Sequence, residues 1–259
     1  LEYCRMFDVP ILAHEEVLEL TRGGVMHEGA VSLALGLGGW PAAAEEIMIG
    51  RDIALAAFTG GRLHVMHVTT AGGVAQVREA KARGIRVTAE ACPHHFTLTD
   101  EALRSFDANC KMSPPLRTAA DVEAIIAGLA DGTIDCIATD HAPHAREKKM
   151  LELDRAPFGI LGLETAVGLA VTRLVATGRL DWPRLVDALS TAPARILGVQ
   201  RGTLRPGAVA DITVIDPDVT WQVDVGSFRS KSVNSPFHGW TLRGRAAATI
   251  VAGRVKFRR

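Results

Sequence analysis

An acid and two histidines stand together where a short apolar run ends. Residues 134–139 are mostly small or apolar, and Asp140, His141 and His144 follow them. The run predicts a buried strand that ends at Asp140 and a loop that begins there. The carboxyl ends of barrel strands are where α/β enzymes build their active sites. A carboxylate followed by imidazoles indicates metal or proton-transfer chemistry more often than packing.

Two further histidines lie at the ends of predicted strands. His14 follows the apolar run 9–13, and His67 lies near the end of the run 63–68. In a barrel these strand ends converge on one face, so His14, His67 and Asp140 can meet although they are far apart in sequence. Imidazole nitrogen and carboxylate oxygen suit a borderline cation such as zinc. Each histidine alone is more often structural, but the three together favour a metal site.

The run that contains His67 also contains His64. Side chains three residues apart on a strand face opposite sides, so only one of this pair can point into the barrel mouth. The position of His67 at the strand end favours it for the mouth, and we expect His64 to face the helices. His94 and His95 follow another strand end. Either one of them lines the pocket or both are ordinary loop histidines.

Three loop segments carry residues that suit substrate contacts. His144 either donates a hydrogen bond to an anionic substrate group or caps its own loop. In Lys111–Arg117 two prolines hold the backbone extended, which either presents Ser113 rigidly to a ligand or turns a corner. Gly159, directly after Phe158, allows the main chain to approach a planar ligand closely.

Strand and helix patterns alternate along most of the chain. Strands are predicted near 9–14, 63–68, 85–91 and 134–140, and helices over 41–58, 73–83, 118–130, 163–177 and 182–197. Short connections between such elements predict parallel strands in βα units. A closed barrel needs eight units. We therefore expect an α/β fold that forms the C-terminal half of a (β/α)8 TIM-type barrel. The chain begins at Leu1 rather than Met, close to a strand pattern, which favours an N-terminal truncation.

The sequence pattern changes after about Leu204. Short β-type runs separated by Gly or Pro turns follow, including 208–216, 221–223, 241–244 and 249–255. We expect two units, with residues 1–204 forming the barrel part and residues 205–259 forming a small β-rich domain, part of a β-sandwich.

Composition excludes several classes of function. Among 259 residues, 29 basic side chains balance 29 acidic ones, which argues against a nucleic-acid groove or a basic membrane-binding face. A hydrophobic content of 47% is enough for a large core. Apolar runs are too short to span a bilayer, and none resembles a signal peptide. The four scattered cysteines indicate reduced thiols in a cytoplasmic protein.

Several segments together resemble one enzyme family. They are residues 13–16, 64–70, 91–95, 111–117, 139–144, 156–165 and 230–237. The chain is similar over almost its whole length to the dihydroorotases of the long bacterial type, in the amidohydrolase superfamily. This resemblance implies a (β/α)8 barrel with a small β-sandwich and a zinc site that usually holds two Zn²⁺ ions in the full-length protein.

The resemblance also implies roles for individual residues. His14 and His67 match ligands of the second metal, and Asp140 matches a ligand of the first metal that is also the general base and acid. His144 matches a contact to the substrate carboxylate. Phe158 and Gly159 match the loop that contacts the substrate ring. Ser113 stands where dihydroorotases commonly have asparagine, whereas hydantoinases and dihydropyrimidinases also use serine before Pro-Pro.

One feature of the family is missing from the sequence. The His-x-His pair of the first barrel strand and the bridging carboxylate are absent, so we expect a C-terminal fragment that is inactive alone. The function implied is reversible interconversion of dihydroorotate and N-carbamoyl-L-aspartate in pyrimidine biosynthesis. The alternatives are a hydantoinase, dihydropyrimidinase or allantoinase, and an inactive scaffold that binds aspartate transcarbamoylase. The expected partners are the small-molecule substrate and either a second copy in a homodimer or aspartate transcarbamoylase.

Overall fold

A parallel four-stranded sheet forms the centre of the larger part of the molecule. The computed structural model describes residues 1–259. The sheet contains β1 (Pro10–Ala13), β4 (Arg62–Val65), β5 (Val87–Ala91) and β6 (Cys136–Ile137), in the order β1-β4-β5-β6. All three pairings are parallel. The four predicted strands are therefore confirmed, and the fold is α/β with a parallel sheet.

Helices cover one face of this sheet and connect its strands. The longer ones are α4 (Ala43–Thr59), α5 (Ala71–Ala82) and α6 (Ala119–Asp131). Thr118 begins α6 as predicted, because its hydroxyl accepts a hydrogen bond from the Asp121 amide while the Asp121 carboxylate accepts one from Thr118. Thr70 caps α5 by accepting a hydrogen bond from the amide of Gly73. These caps fix where the chain turns from strand end to helix.

Shorter elements complete the larger part. The helices are α1 (Glu2–Arg5), α2 (Leu18–Thr21), α3 (Ala30–Leu35), α7 (Arg146–Lys149), α8 (Ala166–Ala170), α9 (Trp182–Val186) and α10 (Ala192–Leu197). Wider π-type turns extend α8 through Val171–Val175 and join α9 to α10 through Asp187–Thr191. Short 3-10 helices occupy Asp100–Ser105 and Ala108–Cys110, and a third, Val225–Ser227, lies between the strands of the antiparallel sheet described below. A short parallel pair that the sequence did not predict joins β2 (Met26–His27) to β3 (Gly39–Trp40).

Alternation along β4 and β5 separates an apolar face from a polar one. Leu63 and Val65 lie in the main core with residues of α4, α5 and α6. His64 lies between them and points the other way, because strand side chains alternate. Its Nδ1 is 2.8 Å from Thr88 Oγ1 and its Nε2 is 3.1 Å from Glu90 Oε2. The prediction that His64 faces the helices is therefore wrong, and it occupies the opposite face of the sheet.

The strand that leads to Asp140 is shorter than expected. β6 ends at Ile137, although the amide of Ala138 still donates to the Ala91 carbonyl at 3.1 Å. Asp140 itself has a φ of +42°, which is incompatible with a strand. Asp140 therefore lies in a loop beyond the sheet rather than at the last position of a strand.

Residues from 212 onward form an antiparallel sheet. It contains β7 (Ile212–Gln222), β8 (Thr241–Val251) and β9 (Arg254–Arg258), in that order. Leu242 of β8 and Phe237 before it are buried with Leu169 of α8 in a second hydrophobic cluster. All four cysteines are free thiols, and no helix has the length and apolarity needed to cross a membrane.

Candidate functional site

Two predicted ligand histidines meet beyond the ends of β1 and β4. His14 directly follows β1, and His67 follows β4 by two residues. His14 Nδ1 lies 3.0 Å from His67 Nε2, and the ring centroids are 4.8 Å apart at 77°. Glu16 Oε2 lies 3.0 Å from His14 Nε2 and so fixes the orientation of that ring. The structure thus brings together two residues that are 53 positions apart in sequence.

His67 and Asp140 share an unusual backbone conformation. Their φ angles are +33° and +42°, in a region that non-glycine residues rarely adopt. Burial lowers the pKa of His67, and the neighbouring His14 lowers it further. Burial raises the pKa of the Asp140 carboxyl, while the charges of His67 and His14 act in the opposite direction. The three groups therefore interact electrostatically, and His67 favours the neutral form that binds metals.

The histidine pair fits a metal ion better than it fits a purely structural role. Two ring nitrogens face each other at 3.0 Å, and His67 Nδ1 is buried without a hydrogen-bond partner. Imidazoles that share a cation need this convergence. Asp140 does not lie close enough to His14 and His67 for the three ligand atoms to fall within 4.8 Å of one another. Two other groups of three residues do meet this distance. These are Cys92, His94 and His95, and His64, Glu90 and Cys136.

Two loops beside the histidine pair hold His144 and Gly159 in contact. His144 Nε2 lies 2.7 Å from the carbonyl of Phe158, so this nitrogen carries the proton and donates. Gly159 has a φ of +143°, and a Cβ there would lie 2.7 Å from both Ala142 Cβ and His144 Nε2. Only glycine fits this position. In the structure Gly159 packs closely against Ala142 and His144, and its approach to a planar ligand stays a prediction.

Phe158 is fixed by two contacts of its ring. Lys111 Nζ lies 4.4 Å from the ring centroid, and Trp40 meets the ring edge-on at 5.9 Å and 88°. Lys111 also donates to the carbonyls of Leu153 at 2.6 Å and Ala156 at 2.7 Å. A buried ammonium thereby closes the turn that leads to Phe158.

Ser113 and Phe158 lie beside the same cavity. The cavity has a volume of about 480 Å³ and is also lined by Glu16 and Trp40. Glu16 is the partner of His14, whereas His14, His67 and Asp140 do not themselves line this cavity. A larger cavity of about 900 Å³ lies between α9, α10 and β7 and contains none of these residues.

The sequence did not reveal a buried ion pair beneath this site. Arg117 and Glu45 have side chains that are 1% and 2% exposed, with Arg117 Nη2 3.5 Å from Glu45 Oε2. Arg117 donates to the Trp40 carbonyl at 2.8 Å and to Thr69 Oγ1 at 3.0 Å. The prolines beside Arg117 mark its segment as unusual, but nothing local predicts a partner so distant along the chain.

His94 and His95 are both buried rather than loop-exposed, at 1% and 2% exposure. His95 Nε2 is 2.9 Å from the Pro114 carbonyl, while burial lowers the pKa of His94 to about 3. They pack against each other with ring centroids 4.2 Å apart. His95 therefore supports the Pro114 segment that carries Ser113.

A family model supplies an independent assignment. Residues 39–256 match the model of the amidohydrolase family. The chain belongs to this family. Metal dependence is characteristic of the dihydroorotases within it, in agreement with the chemistry of the histidine pair.

Two relatives with high sequence identity to this chain are dihydroorotases. The chain is 58% identical over 255 residues to a dihydroorotase of Pelotomaculum thermopropionicum, covering 98% of this chain and 60% of that protein. It is 54% identical over 257 residues to a dihydroorotase of Geobacter sp. strain M21, covering 99% and 60%. The chain thus spans about 60% of the length of these relatives.

Two similar solved structures are a hydantoinase and a dihydropyrimidinase. An L-hydantoinase (dihydropyrimidinase) from Arthrobacter aurescens superposes with a TM-score of 0.90 at 29% identity, over 99% of this chain and 59% of that one. A dihydropyrimidinase from Brevibacillus agri NCHU1002 gives 0.88 at 27% identity, over 100% and 59%. This amidohydrolase chain therefore shares its architecture with cyclic amidases and its sequence most closely with dihydroorotases among these proteins.

Proposed function

We propose that this chain is the metal-binding and substrate-binding part of a dihydroorotase, which interconverts dihydroorotate and N-carbamoyl-L-aspartate. The observation that carries the proposal is the convergence of His14 and His67 at the ends of neighbouring parallel strands. Identity of 58% to a dihydroorotase supports the choice of substrate. In this proposal the parallel sheet is half of a (β/α)8 barrel, residues 1–204 belong to that barrel, and residues 205–259 form the small β-rich domain beside it.

The proposal assigns His14, His67 and Asp140 to one or two Zn²⁺ ions. A bound zinc ion lowers the pKa of a water molecule and polarises a carbonyl. Asp140 accepts the proton of the water that adds to the ring carbonyl, and then delivers it to the ring nitrogen as the C–N bond breaks.

The substrate contacts are assigned to the neighbouring loops. His144 faces the substrate carboxylate, Phe158 and Gly159 lie against the ring, and Ser113 contacts its polar edge. His144 Nε2 already donates to the Phe158 carbonyl, so Nδ1 is the atom that remains for a ligand. A carboxylate needs a donor, and a second proton on His144 would supply it.

A direct test removes the proposed proton carrier. In the enzyme produced from the complete gene, Asp140→Asn should lower turnover of dihydroorotate by about 10²–10⁴-fold, the usual contribution of general acid–base catalysis. Asp218→Asn is the matched control, because that carboxylate is 78% exposed and lies on the antiparallel sheet. Near-wild-type turnover by Asp140→Asn would refute the assigned role.

A second candidate function rests on Ser113 and on the similarity to the hydantoinase and dihydropyrimidinase structures. Rates with dihydroorotate, hydantoin, dihydrouracil and allantoin separate the two candidates. A preference for the acidic substrate supports dihydroorotase, and a preference for an uncharged ring supports the alternative. No turnover of any of them, together with capture of aspartate transcarbamoylase, would indicate a scaffold. We extend the proposal to a homodimer or to a complex with that enzyme.

A further inference from the structure

One asparagine from the C-terminal segment reaches both loops that flank the site. Asn234 is 2% exposed and lies between β7 and β8. Its Nδ2 donates to the carbonyl of Ala142 at 2.9 Å and to that of Gly159 at 3.1 Å. Its Oδ1 accepts from the amide of His144 at 3.1 Å. Both amide hydrogens and the amide oxygen are therefore used on main-chain groups of the two loops.

The main chain of Asn234 adds a fourth connection to the same loops. Its carbonyl accepts from the amide of Leu161 at 3.0 Å. One residue thus holds the loop of Ala142–His144 and the loop of Gly159–Leu161 at a fixed separation. Aspartate lacks the two donors and leucine lacks all three groups, while glutamine carries them on a side chain that is one methylene longer.

Asn234 is itself anchored firmly on both sides. Upstream, Glu164 Oε1 accepts from the amides of Arg229 and Ser230 at 3.0 Å each. Downstream, Phe237 is 1% exposed and packs in the second hydrophobic cluster. The segment therefore works as a rigid support rather than as a mobile strand connection.

We propose that Asn234 is a positioning residue that sets the distance between His144 and Gly159 and so determines recognition of the substrate carboxylate and ring. This inference rests on the proposed function only for the identity of the substrate. Loop displacement of about 1 Å costs roughly 10²-fold in enzyme efficiency when it moves groups that orient a substrate. Asp140 makes no hydrogen bond with Asn234, so the loss should appear in substrate binding.

The test compares Asn234→Ala and Asn234→Asp with wild type in the enzyme from the complete gene. For dihydroorotate, both variants should raise KM by about 10–100-fold while kcat changes by less than about threefold. Asn109→Ala is the matched control, because Asn109 is the other asparagine of the chain and its side chain makes no hydrogen bond. A change carried by kcat, or a KM like that of the control, would overturn the proposal.

A double-mutant cycle tests whether Asn234 acts through His144. If it does, Asn234→Ala should cost less in kcat/KM in a His144→Ala background than in wild type. If the double variant loses the product of the two single-variant losses in kcat/KM, Asn234 does not act through His144.

Amide hydrogen exchange gives a readout that does not depend on activity. The amide of His144 should exchange faster in both variants, while amides in α4 and α5 keep wild-type rates. If wild type shows no dihydroorotase activity but exchange at His144 accelerates, the proposed function fails and the positioning role stands. Unchanged exchange refutes the positioning role, and global acceleration in both variants would show a general stabilising role instead.

Discussion

Replacing Gly159 with alanine tests the geometry of the two loops most directly. The new Cβ would lie 2.7 Å from both Ala142 Cβ and His144 Nε2, and 2.9 Å from His144 Cδ2. Holding a residue with a side chain at a φ of +143° adds a backbone cost of about 1–3 kcal/mol. Forcing an extra methyl into filled space costs about 1–3 kcal/mol more. We therefore expect the free energy of unfolding to fall by about 2–6 kcal/mol.

Gly132→Ala separates the two contributions. Gly132 ends α6 with a φ of +81°, and no heavy atom lies within 4 Å of the position that a Cβ would take there. Only the backbone cost applies at this glycine, about 1–2 kcal/mol. Urea unfolding of both variants gives the difference, with equal dependence on urea as a check that the unfolded states match.

The comparison has an outcome that would refute the reasoning. Gly159→Ala should cost at least about 1 kcal/mol more than Gly132→Ala, because overpacking adds to it alone. Equal losses would mean that the two loops move apart freely and that Gly159 is not held against His144. In the enzyme from the complete gene, the displaced His144 ring should also raise KM for dihydroorotate.

Three further predictions concern side chains around the same site. Arg117→Met leaves the buried Glu45 without its cation, so the free energy of unfolding measured in urea should fall by about 3–5 kcal/mol. Arg254→Met, at an exposed arginine, is the control. A loss below about 1 kcal/mol for Arg117→Met, as expected for the control, would contradict this. Lys111→Met removes the donor to the carbonyls of Leu153 and Ala156, so trypsin should cleave after Arg155 about tenfold faster or more. Wild-type cleavage rates would show that those carbonyls find other donors. Burial lowers the pKa of Lys149 from 10.5 to about 8. Between these two pH values the folded state binds fewer protons than the unfolded state, so the contribution of Lys149 to the free energy of unfolding rises with pH. The urea midpoint of Lys149→Met should therefore gain less than that of Lys148→Met from pH 8 to 10.5, and parallel profiles would contradict this.

The sequence was sufficient for elements whose signals are local. Thr118 and Asp121 mark the start of α6 as a capping box, and the structure contains that box. The run before His14 and the run before His67 predict strands because their hydrophobicity is continuous, and both pair in parallel. Strand ends on one edge of a sheet then bring the two histidines together.

The errors arise where an outcome depends on the whole fold. The spacing between His64 and His67 assigns His64 to the helical face only if the strand continues to His67. The strand ends at Val65 and His67 has a positive φ, so side chains do not alternate regularly between the two histidines. Asn234 lies in a segment typical of the family but shows no local sign of its role, since its partners Ala142 and Gly159 are 92 and 75 positions away. Long-range hydrogen bonds of this kind have no periodicity that a sequence can show.

The left-handed backbone of His67 and Asp140 limits how stable this fold can become. Glycine would relieve about 1–3 kcal/mol at each position, because it adopts the φ values of +33° and +42° with little cost. Selection for thermal stability alone would therefore favour glycine at both positions and remove the imidazole and the carboxylate. In the proposed function, histidine and aspartate at these positions give up stability in exchange for activity. Efforts to make the protein more heat-resistant should leave these two positions unchanged. Gly128, in the interior of α6, is not a site for such gains either, because a Cβ there would lie 3.1 Å from the side chains of Ile134 and Val74.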